Sequence, residues 1–106
     1  MSQIKINLLQ IPNQSLSCNL TDGKGNYFAV DITLRTLPDG RLCAKIAIND
    51  NVIVSSVVCC NNMPLIPTNI LNGNIYFKDT YFDTDPKYIG FNEQFLLIYD
   101  TEFKLG

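Results

Sequence analysis

Along this chain apolar residues recur at alternate positions over short runs, and turn-forming residues separate the runs. In Phe28-Ala29-Val30-Asp31-Ile32-Thr33-Leu34-Arg35 the even positions are apolar, while Asp31 and Arg35 stand at odd ones. After Pro38-Asp39-Gly40 the even positions again carry the apolar residues, Leu42, Ala44, Ile46 and Ile48. Successive side chains of a strand point to opposite faces, so both runs place their even residues on one buried face. Pro-Asp-Gly supplies a fixed φ, an Asx-type hydrogen bond and a glycine that accepts positive φ. The pattern predicts a β-hairpin over Tyr27–Ile48, with Ile32, Leu34, Leu42, Ala44, Ile46 and Ile48 buried and Asp31, Arg35 and Lys45 outward.

The remaining segments add strands around this hairpin. Ile4-Lys5-Ile6-Asn7-Leu8 alternates, which predicts a strand with Ile4, Ile6 and Leu8 inward. Pro12 interrupts it, because proline cannot donate to a ladder and restricts the residue before it. Ser15–Leu20 resumes the alternation with Leu16, Cys18 and Leu20 on one face. The turn signal Asp22–Asn26 then makes it pair antiparallel with the strand beginning near Tyr27. After the turn Asn49-Asp50-Asn51, Val52 and Val54 keep even parity, but Val57 and Cys59 are odd, so a β-bulge or a change of sheet falls between them.

Met63-Pro64-Leu65-Ile66-Pro67 reads as a packed loop in preference to a polyproline ligand. Asn69–Asn74 ends in an Asn-Gly-Asn turn signal, Ile75-Tyr76-Phe77 is a short strand, and Phe95–Tyr99 is a last apolar one. Between them Asp79–Asn92 is irregular and rich in aspartate and aromatics. About seven or eight short strands in one domain, residues 1–106, predict an all-β antiparallel sandwich or barrel.

Composition removes several function classes. The net charge is −2 and no two basic residues are adjacent, so nothing marks a phosphate-backbone footprint. No apolar run is long enough to span a membrane, and the amino terminus has no apolar signal-peptide core, so the expected compartment during synthesis is the cytoplasm. In a reducing compartment Cys18, Cys43, Cys59 and Cys60 are expected to be small packing residues with free thiols. A zinc site is disfavoured because Cys-x-x-Cys spacing and histidine are both missing.

The absence of histidine also removes the commonest general base and every Ser-His or Cys-His pair. Asp79, Asp83 and Asp85 could form a calcium or acid/base set. However, Thr84 and Gly90 stand where a calcium loop needs its glycine and its closing glutamate, so they read as turn formers. Gly23 and Gly25 belong to a hairpin turn, not to a phosphate loop. No catalytic residue, cofactor or metal ligand is expected. Tyr76, Phe77, Tyr81, Phe82 and Tyr88 could form a stacking surface, which keeps open a β-fold binding module for carbohydrate or single-stranded nucleic acid.

Several segments in order resemble a known family. They are Ile11-Pro12-Asn13-Gln14-Ser15, Asp31–Thr36, Asn61-Asn62-Met63-Pro64-Leu65-Ile66-Pro67, Gly73-Asn74-Ile75-Tyr76-Phe77 and Phe91–Tyr99. Over about residues 4–100 they resemble the baseplate plug proteins of contractile-tailed bacteriophages, of the cyanophage type. Cys59-Cys60 and the Tyr/Asp loop depart from it.

The resemblance implies a structural virion protein, made in the host cytoplasm, that closes the axial channel of the tail baseplate. It would sit against the hub and the tape-measure end, with three copies around the axis by analogy with three-fold hubs. Such a role needs no enzyme activity, nucleic-acid contact or membrane. Loops carry function on rigid β scaffolds, so Met63, Leu65, Ile66, Tyr81, Phe82 and Tyr88 are the expected interface residues.

Overall fold

A computed structural model describes residues 3–21, 23–67, 73–82 and 84–103. Among them are seven strands: β1 Gln3–Ile6, β2 Asn13–Thr21, β3 Tyr27–Thr36, β4 Leu42–Ile48, β5 Asn51–Val58, β6 Asn74–Asp79 and β7 Phe95–Asp100. A single 3-10 turn, Tyr88–Gly90, precedes β7. The strands form two antiparallel sheets, one ordered β2-β3-β4-β5 and the other β1-β7-β6. The fold is a small all-β sandwich.

The four-stranded sheet is a meander, each strand pairing with the next in sequence. β2 and β3 match without a break from Asn13↔Arg35 to Thr21↔Tyr27. The β3–β4 turn closes through Gly40 N–H to Leu37 O at 2.9 Å, and Arg41 N–H donates to Asp39 Oδ1 at 3.1 Å, the expected Asx bond. β4 and β5 join through Asn49 and Asp50, both at positive φ (51° and 68°) as a two-residue type I′ hairpin requires. The six residues expected in the core from the central hairpin are all buried, and Asp31, Arg35 and Lys45 are exposed.

The expected parity change in β5 is present as two register shifts against β4, one on each side of Ile46. They carry Val54 and then Val57 onto the inner face. Val52 departs from expectation: it lies opposite Ala47 on the outer face, before the first shift, and is exposed.

The second sheet assembles from distant parts of the chain. Its central strand β7 pairs with β1 on one side and β6 on the other. Ile6 opposite Leu97 is buried, but Ile4, expected inward, is 40% exposed. It shares a face with Tyr99, yet it sits near the free end of a four-residue edge strand that little covers. Leu8 is buried although β1 ends before it. Tyr76 and Ile98 pair on the outer face and are also buried, with Phe103 against the Tyr76 ring at 5.4 Å. The inner faces enclose one core in which the Phe77 and Phe91 rings stack at 5.7 Å.

Candidate functional site

Four connections gather where β1, β3, β5 and β6 end and where β2, β4 and β7 begin: residues 7–12, 37–41, 59–61 and 80–94. This loop end carries much of the large apolar surface the sandwich leaves open. Leu9, Tyr81, Phe82 and Ile89 are each about two-thirds exposed or more (65%, 65%, 72% and 71%), with Ile11 at 42%.

Asp79 shapes the aromatic loop. It is buried at the end of β6, and the groups that hydrogen-bond its carboxylate are uncharged. Its carboxylate accepts from the backbone N–H groups of Tyr81 (2.9 Å), Phe82 (3.0 Å) and Thr84 (3.1 Å), from the Thr84 hydroxyl and from Gln94 Nε2. Burial pushes its pKa up, but the Thr84 hydroxyl and the three amides stabilise the ionised form more, so the pKa lies below the usual carboxylate range. The carboxylate thus folds the chain around itself and holds the tyrosine and phenylalanine side chains in solvent.

Amide side chains fix the neighbouring segment. Asn92, at φ 68°, receives Leu8 N–H on Oδ1 and donates Nδ2 to Leu8 O, imitating a strand pairing. Gln14 treats Leu9 in the same way, and Gln10 Nε2 reaches Phe91 O at 2.9 Å. These bonds explain why Leu8 is buried beyond the end of β1 while Leu9 stays outside on an ordered backbone.

The segment 61–66 runs along the free edge of β6. Asn62 N–H donates to Phe77 O and Leu65 N–H to Ile75 O, while Asn61 Oδ1 accepts from Asp79 N–H. Asn74, fully buried, accepts Ile66 N–H and Ile75 N–H on Oδ1 and donates Nδ2 to Ile66 O. Both polar atoms of the buried amide are therefore engaged, as a polar group in a core must be.

The family model of the cyanophage baseplate Pam3 plug gp18 matches residues 1–102. The chain belongs to this family. No curated protein matches it. Membership gives the chain a structural role in a phage tail baseplate, within the virion and among other baseplate components.

On this baseplate plug the six expected interface residues fall into three groups. Tyr81 and Phe82 stand exposed on the loop end, and Tyr88 is half-buried beside the core. Met63 is 55% exposed, on the flank of β6. Leu65 and Ile66 are core residues at 2% and 0% exposure, because the pairing with β6 and Asn74 turns them inward. They hold the loop and offer no surface to a partner. Sequence reasoning missed Leu9, Ile11 and Ile89; the available signal was apolar residues beside Pro12 and Gly90, where no strand can bury them.

Other chemistry is sparse at this end. Asp79 and Asp85 are both engaged by backbone amides, Asp85 through Asn61 N–H at 3.1 Å. Asp22, Asp83 and residues 69–72, with the first residue of the Asn72-Gly73-Asn74 turn signal, lie outside the described residues. No group of three or more His, Cys, Asp or Glu among the described residues is placed to hold a metal ion. All four cysteines are free thiols; burial first, then Cys43 and Cys60, pushes the Cys59 pKa up to about 12, so it remains a neutral packing group. Tyr76 and Phe77 are buried, which removes them from any stacking platform for sugars or bases. An open groove of about 610 Å³ along Asn13–Ser15 and Thr33–Pro38 has no aromatic lining. No described helix is long and apolar enough to cross a membrane.

Proposed function

We propose that this plug closes the axial channel of the baseplate, gripping the hub and the end of the tape-measure protein with its loop end. Three copies surround the axis, and the subunit is made in the host cytoplasm before it joins the virion. The observation that carries this is the apolar display at one pole of a chain whose family match spans residues 1–102. Leu9, Tyr81 and Phe82 lie on backbone tied down by Gln14 and Asp79, so little ordering entropy opposes their docking, and Ile11 and Ile89 extend the same exposed surface. Met63 and Tyr88 contribute at its margin. Occlusion needs shape and adhesion and no catalytic group.

The test is incorporation. Alanine at Leu9, Tyr81, Phe82 and Ile89 leaves the fold intact and reduces the copy number of the protein in purified baseplates at least tenfold. Normal incorporation of that quadruple variant would place the contact elsewhere. Absence of the wild-type chain from virions by mass spectrometry would overturn the reading entirely.

A further inference from the structure

The sheets have four outer edges, and the chain treats them in two ways. The edge of β6 is covered by segment 61–66. β1 is four residues long and carries Lys5, the kind of short charged edge that resists unwanted pairing. β2 and β5, the outer strands of the four-stranded sheet, have neither protection. They span nine and eight residues, and they are the only two of the seven strands without a charged side chain. Among the described residues no loop backbone hydrogen-bonds to either. At both margins the inner face is incompletely closed: Leu16 and Cys18 on β2, and Ile53 and Val57 on β5, are only partly buried against the core.

We propose that the four-stranded sheet continues from one copy of the chain to the next, β2 pairing antiparallel with β5 of its neighbour. The occupant is a second copy because the two edges complete each other. β2 and β5 run in opposite directions within the sheet, so this junction repeats the existing antiparallel order. Their lengths match, no charge meets another, and Leu16 and Cys18 gain cover from the neighbour's Ile53 and Val57. The two register shifts in β5 add twist, which curves a sheet toward closure.

A head-to-tail contact closes into a ring or grows into a filament, whereas β2 paired with β2 stops at a two-fold dimer. The head-to-tail form also sends every loop end to the same side, as the proposed docking requires; the two-fold form sends them to opposite sides. That orientation clause rests on the proposed function, while the pairing rests on the edges alone.

Ser17 and Ser55 are exposed near the middle of β2 and β5, so full-length Ser17→Cys and Ser55→Cys proteins report the pairing. Each is purified separately, mixed at high concentration, mildly oxidised, and mapped by peptide mass. A 17–55 linkage that forms in the mixture and in neither protein alone supports the pairing. Ser15→Cys and Asn19→Cys, assayed in the same way, cover a slip of two residues. Wild-type protein larger than a monomer by light scattering, reduced to monomer by Ser17→Lys with unchanged circular dichroism, gives the same answer. A 17–17 linkage in Ser17→Cys alone would replace the proposal with a two-fold dimer. Monomeric wild-type protein with no linkage at any of these positions would overturn it. The loop-end alanine variant separates the two ideas, since it keeps the 17–55 linkage even if it no longer enters baseplates.

Discussion

The two sheets of this sandwich are stabilised by different means. The four-stranded meander uses strands adjacent in sequence, turns of a few residues and an unbroken alternation of apolar side chains. The three-stranded sheet joins residues 3–6 to residues 95–100 and depends on buried or half-buried polar side chains at its margins: Asn61, Asn74, Asp79 and Asn92. Short-range pairing closes small loops and can be written as a two-residue period. Long-range pairing closes large ones, and here side-chain amides and a carboxylate complete backbone pairings that the strands leave unfinished. The irregular half of the molecule is also the half that displays Tyr81 and Phe82.

Four experiments bear on that contrast. The largest effect is expected from Ile46→Asp, which puts a charge in the fully buried centre of the meander. It should cost several kcal/mol by urea denaturation and unfold both sheets together, since they share one core. Retention of the three-stranded sheet in that variant would show that the sheets are independent.

Asn74→Leu is next. It leaves the Ile66 N–H and C=O without the side chain that pairs them, at a cost of about 2–4 kcal/mol. Hydrogen exchange should rise first along 61–66 and β6, while β3 and β4 stay protected. Uniform loss of protection would dissolve the distinction between the two halves.

A smaller, local effect is expected at Asp79. Its folded pKa is depressed, so the stability it contributes is complete above the ordinary carboxylate value of about 4 and is lost as pH falls below it. Asp79→Asn should therefore differ most from wild type near neutral pH and converge with it in acid. Proteolysis at residues 80–85, followed across pH, measures this; a difference that stays constant from neutral pH into strong acid would mean the carboxylate is not the cause.

The smallest effect tests the meander's turns. Asp50 sits at φ 68°, a conformation glycine adopts without strain, so Asp50→Gly should stabilise by up to about 1 kcal/mol. A loss of stability there would show that the aspartate side chain contributes more than the turn geometry suggests.

Much of the meander was legible from residue order, because burial on one face of a strand imposes a period that Ile32, Leu34, Leu42, Ala44, Ile46 and Ile48 display openly. The turn residues between those runs, Pro38-Asp39-Gly40 and Asn49-Asp50, act through their own backbone preferences and need no distant partner. Family membership was legible for the same reason, since ordered short segments along residues 1–102 survive as a linear pattern.

Only the tertiary structure decided which apolar residues of the loops face solvent. Leu65 and Ile66 looked like surface contacts until β6 and Asn74 drew them inward, while Leu9 and Ile89, inconspicuous in sequence, remain outside. It also decided that Ile4 and Val52 fall where cover is missing, one on a short edge strand and one before a register shift. Alternation specifies which side of a strand a residue takes. Whether another part of the chain arrives to cover that side depends on pairings between residues as far apart as Leu8 and Asn92, and no local period encodes them.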